Sequence, residues 1–288
     1  MDALPIEEKT GLSFASQHPG KMHACGHDGH MAIALALAEE LAERKDARRN
    51  VLLIFEPAEE TDGGAKPICD TGLLEQYRVS HVFGLHLWPG LEKGVVFSRR
   101  KELMARASEV TLDIYGKSAH IAKAAEGIDA LMAGAEIYTR AMEMERQIPA
   151  NVFRLLKFGK FHSGTARNAL SAHTHLEGSL RAFQDETFEA MADSLRAIAA
   201  DVREKYGCGV DLYIADGYPA VLNDDAVFDA VCRCLPVTEL EEPCMTAEDF
   251  SWYQRHVPGV FFFLGLGEVP ALHSDNFNFD EAVLTKGA

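Results

Sequence analysis

The sequence predicts an α/β fold: one domain with a mainly parallel sheet flanked by helices, interrupted by an inserted α+β domain of the ferredoxin-like kind. Three observations predict it. Helix-like and apolar strand-like stretches alternate between His30 and Phe97, as in βαβ units. From Ser108 the strands alternate apolar and polar residues, the mark of a sheet with one solvated face. A continuous apolar run, Val260-Phe261-Phe262-Phe263-Leu264, then returns near the end, the pattern of a strand buried on both faces.

In chain order, a buried helix is expected from about His30 to Arg44, where Ile33, Leu37 and Leu41 share a face. A strand over Asn50–Phe55 and a helix from about Gly63 to Leu74 follow, then apolar strands at 82–85 and 95–97. Glu109–Tyr115 and Thr174–Arg181 alternate as half-solvated strands, with amphipathic helices at about 127–146 and 185–206, completing a βαββαβ unit. A helix at 224–235 precedes the apolar strand at 260–264. Residues 1–102 and 215–288 are therefore expected to form one domain and 103–214 the insertion.

The chain has 288 residues, ample for a buried core. Its 28 Lys and Arg against 44 Asp and Glu give a formal charge of −16, a field that repels phosphate backbones and anionic membrane surfaces. Neither nucleic acid nor a membrane is expected as a partner. The N-terminus carries neither a basic nor an apolar signal region, so a cytoplasmic location is expected. Six cysteines scattered through the chain read as reduced thiols and not as a disulfide framework.

Chemistry concentrates early. His23-Ala24-Cys25-Gly26-His27-Asp28-Gly29-His30 packs three histidines, a thiol and a carboxylate into one short stretch. His23 and His27 have the spacing of a zinc-protease helix, but Ala24 stands where such a helix needs glutamate. Cys25 and His27 can instead face one centre, and thiolate plus imidazole suits Zn²⁺, Mn²⁺ or Co²⁺ better than Mg²⁺ or Ca²⁺. Glu56-Pro57-Ala58-Glu59-Glu60 sets adjacent carboxylates after the expected strand 50–55, and His86 ends the next strand. Ligand types thus gather at the carboxyl edge of the sheet, where open α/β folds keep their sites.

These segments resemble a known family, the dinuclear metal-dependent amidohydrolases and metallopeptidases that include aminoacylases, hippurate hydrolase, auxin-conjugate hydrolases and, more distantly, carboxypeptidases. The likeness runs across essentially the whole chain. It rests on Met1-Asp-Ala-Leu-Pro5, Met22–His30, Glu56–Glu60, Gly84–Trp88, Gly116-Lys-Ser-Ala-His120, Ser163–Asn168, Gly178-Ser-Leu-Arg181, Glu248-Asp-Phe250 and Leu272-His-Ser274.

The resemblance implies that Cys25, His27, Glu60, His86 and His273 hold two divalent ions, Mn²⁺ or Zn²⁺ with Co²⁺ as an alternative. It also implies that Glu59 is the general base and that Asp2 steadies a ligand. The inserted domain resembles the family's dimerisation domain, so a homodimer is implied, with His120 reaching the partner's site to polarise the scissile carbonyl. Asn168 and Arg181 resemble the groups that bind a substrate carboxylate, and Glu248 and Asp249 match a family motif. The implied activity is hydrolysis of small N-acyl amino acids, of hippurate or N-acetyl type; a dipeptidase, a carboxypeptidase or an inactive dimeric homologue are the alternatives. The chain departs from the family pattern at Ala124 and at Leu170-Ser171, where proline is usual. The family's opening elements precede the Met1-Asp2 motif, so apolar surface is expected to lie exposed on the 1–102/215–288 domain, with low stability and self-association.

Overall fold

The computed structural model describes residues 2–46, 48–61 and 63–288; Met1 of the opening motif lies outside the described residues. In chain order the elements are α1 (His27–Glu43), α2 (Ala65–Asp70), α3 (Leu73–Gln76), β1 (Val82–Trp88), β2 (Val96–Ser98), β3 (Lys101–Met104) and β4 (Arg106–Tyr115). They continue with α4 (Ala130–Gln147), β5 (Arg154–Ser163), β6 (His173–Ala182), α5 (Asp185–Tyr206), β7 (Gly209–Ile214), β8 (Val221–Asn223), α6 (Asp225–Cys232), β9 (Thr238–Glu239), α7 (Ser251–Gln254) and β10 (Gly259–Gly265). The chain is mixed α/β and divides into two compact units: Met1–Leu103 with Val221–Pro243 and Glu248–Ala288, and Met104–Ala220 with Cys244–Ala247.

The first unit is built on the order β1-β10-β2-β9, with β3 and β8 paired separately. β10 runs parallel to β1 and antiparallel to β2, and β2 is parallel to β9, so the sheet is mainly parallel. Every residue of β10 is buried, which is why its sequence is an unbroken apolar run. Its side chains feed two clusters: Val260 and Phe262 pack with Val227 and Phe228 of α6, and Leu264 packs with Ile33 of α1, Met22, Leu87 and Phe277.

In the second unit the spatial order β5-β6-β4-β7 with helices between the strands is that of a split βαβ unit. β4 pairs antiparallel with β6 from Arg106↔Ala182 to Tyr115↔His173. Val110, Leu112 and Ile114 point into a core shared with Ile137 of α4 and Leu195 of α5, while Glu109 and Tyr115 face out. The polar alternation in the sequence thus records one covered face and one open face. Asp129 starts α4 by accepting the amides of Leu131 and Met132.

Several expectations are corrected. Asn50–Phe55 forms no strand: no ladder among the described residues includes it, and Val51, Leu52 and Phe55 are exposed. Apolar, β-branched sequence is not sufficient without a neighbour to complete the hydrogen bonds. The helix expected over 63–74 is two short helices, parted at Gly72, whose left-handed φ of 75° ends the first. The N-cap of α1 is Gly26, at φ 79°, and Asp28 sits in the first turn, where its charge complements the helix dipole. Leu35 and Phe83 add to the exposed apolar side chains of this unit.

The contrast between buried and exposed leucines sets an expectation for stability. Leu112→Ala removes a fully buried side chain and should cost about 2–5 kcal/mol. Leu52→Ala should change stability by less than about 0.5 kcal/mol, because Leu52 stays accessible. Denaturant unfolding of the two variants checks the difference.

Candidate metal centre

The site grows from the turn before α1. Gly26 is left-handed, and a Cβ there would lie 3.3 Å from the Leu87 side chain, so the position favours glycine twice over. The turn leaves Cys25 buried on one side and starts the helix at His27 on the other. The three histidines of this segment then separate by role. His23 Nδ1 lies 2.8 Å from the Asp2 carbonyl, and His30 Nε2 accepts the Leu87 amide at 3.0 Å, joining the helix to β1. Burial holds the His30 imidazole well below its ordinary range, so it stays neutral and structural.

His27 alone of the three turns towards the acids. Its Nδ1 is 2.7 Å from Asp2 Oδ1, and its Nε2 lies 3.8 Å from Glu59 and 3.9 Å from Glu60. The other Asp2 oxygen accepts the Glu60 amide at 2.8 Å. One carboxylate therefore fixes both an imidazole and the backbone of an acid, the arrangement that commonly orients metal ligands. Burial opposes ionisation of Asp2, but the hydrogen bonds from Glu60 and His27 outweigh it and hold the carboxyl below its usual range.

Glu59 and Glu60 sit on a tight turn. Ala58 is left-handed at φ 64°, and its carbonyl accepts the amides of Thr61 and Gly63. A side chain at Gly64 would meet the Pro57 carbonyl oxygen at 2.0 Å, and the amides of Gly64 and Ala65 donate to Asp249 Oδ2 at 2.8 and 3.0 Å. Burial, reinforced by the Glu60 charge, raises the Glu59 carboxyl to about 8.

His86, on β1, donates from Nδ1 to the Leu87 carbonyl at 2.7 Å, which leaves Nε2 3.5 Å from Cys25 Sγ. Burial pushes His86 down to about 3, so it offers a neutral ring nitrogen. His273 adopts φ 64°, its amide bonds the Ala24 carbonyl at 2.7 Å, and its Nε2 is 3.1 Å from Glu60 Oε1. Ligand atoms within 4.8 Å of one another form two sets that share the thiol: Cys25, His27 and His86, and Cys25, Glu60 and His273. Two further sets are His27, Glu59 and Glu60, and Glu59, Glu248 and Asp249.

This donor set fits cations. Glu60 Oε1 is buried without an aligned hydrogen-bond donor, and burial together with the Glu60 and Glu59 charges drives the Cys25 thiol far up. Positive charge at the shared thiol would relieve both. Sulfur and imidazole donors suit Zn²⁺, Mn²⁺ or Co²⁺.

The second unit carries the remaining candidates. His120 caps a short 3-10 helix, Ile121–Glu126, accepting the Ala122 amide on Nδ1, and bridges Ala169. The Ile121 amide donates to the Asn168 carbonyl at 3.0 Å, so His120 and Asn168 belong to one pair of loops and both are exposed. Arg181 stands apart on β6, its guanidinium donating to Ser179 Oγ at 3.1 Å and to the Met245 carbonyl.

Sequence reading left Glu248 and Asp249 without a role and placed Glu56 only as the residue after a strand. In the structure Asp249 is completely buried, and Tyr253 donates to Glu56 beside it. The available signal was two consecutive acids followed at once by a buried aromatic, Phe250.

Comparison with known proteins places the chain in a family. A family described as Peptidase family M20/M25/M40 matches residues 1–288. N-acetyldiaminopimelate deacetylase of Exiguobacterium sibiricum is 35% identical over 289 residues, spanning 99% of this chain and 78% of that protein. The enzyme of the same name from Lacticaseibacillus casei is 34% identical, spanning 100% and 77%. Among solved structures, a candidate aminohydrolase from methicillin resistant Staphylococcus aureus superposes with a TM-score of 0.91 at 32% identity, covering 100% of this chain and 77% of that one. The YXEP protein of Bacillus subtilis, described as a dinuclear metal binding peptidase of family M20, superposes with a TM-score of 0.83 at 30% identity, covering 99% and 76%. The chain belongs to the peptidase family M20/M25/M40 and is an amidohydrolase of that family.

Proposed function

We propose that the protein hydrolyses the amide bond of N-acyl amino acids, N-acetyl compounds foremost, releasing a carboxylate and a free amino acid, with two divalent ions as cofactors. The observation that carries this reading is the pair of ligand sets sharing Cys25 with the Glu59 carboxylate alongside. The deacetylase names of the relatives support an acetyl group on the acyl side.

Cys25, His27, Glu60, His86 and His273 would hold the ions, and Asp2 keeps His27 and Glu60 aimed at them. When bound, the ions would supply Lewis acidity, polarising the scissile carbonyl and acidifying water. Glu59 takes a proton from the attacking water and returns it to the leaving amine. Burial and the Glu60 charge raise the Glu59 carboxyl to about 8, and cations held alongside would lower it again, so that it can accept the proton of the water and later return it. We assign Asn168 and Arg181 to the substrate carboxylate, and His120, donated by a second copy of the chain in a homodimer, to the developing oxyanion. Each oxyanion donor is typically worth about 3–4 kcal/mol.

Glu59→Gln should abolish turnover of N-acetyl amino acids while leaving metal content unchanged, because the amide keeps the shape but cannot accept the proton. Parallel metal analysis and kinetics check this, and equal loss of metal would move Glu59 into the ligand set.

Cys25→Ser should weaken metal binding at least tenfold, since a neutral hydroxyl lacks the thiolate's charge and softness. In the unmutated protein, burial beside Glu60 keeps the thiol protonated, so metal uptake releases a proton. Apparent affinity should therefore rise by about tenfold per pH unit below the thiol's raised pKa and fall as pH drops. Calorimetric titration at several pH values measures both effects.

Mixing inactive His120→Ala with inactive Glu59→Gln subunits should restore activity in part of the heterodimer population if His120 works across a two-fold axis. Activity assays after verified subunit exchange test it, and no recovery would exclude the assignment.

A further inference from the structure

The turn that carries Glu59 and Glu60 has a second anchor, which none of the roles above uses. Asp2 binds the turn from one point, the Glu60 amide. Asp249 binds its far end, where Oδ2 accepts the amides of Gly64 and Ala65 at 2.8 and 3.0 Å. These amides are not free to move aside, because Gly64 packs so closely on Pro57 that a Cβ would stand 2.0 Å from its carbonyl oxygen. The Gly63 amide, one residue earlier, closes the turn on the Ala58 carbonyl at 2.9 Å.

Asp249 is held in its turn. Its other oxygen, Oδ1, is buried without an aligned hydrogen-bond donor, and the Glu56 carboxyl is near enough for Asp249 to help raise it. Tyr253, itself buried, donates its hydroxyl to Glu56 Oε2 and fixes the outer end of the chain. Burial, with Asp249 next to it, raises the Glu56 carboxyl to about 9, consistent with a proton residing there.

We propose that Asp249 is a positioning residue: by accepting the amides of Gly64 and Ala65 it clamps the backbone there and so sets the direction of the Glu59 and Glu60 carboxylates. This rests on the reading of Glu60 as a metal ligand and Glu59 as the base. It gives Asp249, fully buried close to an already acidic cluster, a part that runs through the amides of the turn.

The experiment compares Asp249→Ala, Asp249→Asn and Gly64→Ala in the full chain, using Mn²⁺ titration of chelator-stripped protein, thermal unfolding, and kcat and KM on an N-acetyl amino acid. Asp249→Ala should lower Mn²⁺ affinity at least tenfold and kcat at least tenfold, with KM changed by less than about threefold. Asp249→Asn retains an oxygen for the two amides and gains an N–H for Glu56, so both quantities should recover to within about threefold of the unmutated protein. Should Asp249→Ala fail to fold, Gly64→Ala probes the same link from the turn and should lose Mn²⁺ affinity. Mn²⁺ binding by Asp249→Ala or Gly64→Ala equal to that of the unmutated protein would overturn the proposal, as would an Asp249→Asn as defective as Asp249→Ala. Absence of turnover in the unmutated protein would instead refute the hydrolase reading, leaving the Mn²⁺ titration to judge the clamp.

Discussion

Adjacent carboxylates repel and resist burial, so holding Glu59 and Glu60 side by side in a site that also contains the Cys25 thiol is the constraint to which the surrounding structure answers. Backbone hydrogen bonds fix the turn, with Ala58 left-handed and Gly64 pressed against Pro57. Asp2 ties the Glu60 amide to His27. The charge itself would be offset by positive ions at the two ligand sets that share the Cys25 thiol. A protein that needed only a stable fold would gain nothing from this arrangement, since an unpaired buried charge costs several kcal/mol.

The sheet supplies the rigidity that this arrangement requires. β1 delivers His86, and its neighbour β10 is buried along its whole length, so the histidine is aimed by packing and by its own bond to the Leu87 carbonyl. His30 couples the same strand to α1 through the Leu87 amide, which places Cys25 and His27 relative to His86. Thus one residue, Leu87, connects through its N–H and its carbonyl the two segments from which the first ligand set is drawn. His273 is positioned differently, by a strained left-handed backbone and a single bond to Ala24.

Much of this was legible in the sequence, for identifiable reasons. The βαββαβ pattern of the second unit was readable because its sheet has one open face, so burial alternates with every residue. β10 was readable because both its faces are covered. Asn50–Phe55 misled because local preference carries no information about whether a pairing strand exists. The cluster of three histidines announced a site, but not that two of them serve as struts, since that depends on which ring nitrogen meets which backbone group. His273 could be named only through family likeness: it lies far along the chain, and no periodicity connects it to Cys25. The function of Asp249 was invisible because its partners are backbone amides, to which sequence gives no clue.

Uptake of two divalent ions by the shared-thiol cluster, and the dependence of hydrolysis on them, is what the proposed activity most requires. The most direct measurement is titration of chelator-stripped protein with Mn²⁺, Zn²⁺ and Co²⁺ separately, following bound metal and cleavage of an N-acetyl amino acid together. The account predicts two ions bound per chain, with activity appearing as the pair of sites fills. Binding of one ion or none, or hydrolysis that persists undiminished in the stripped protein, would contradict it.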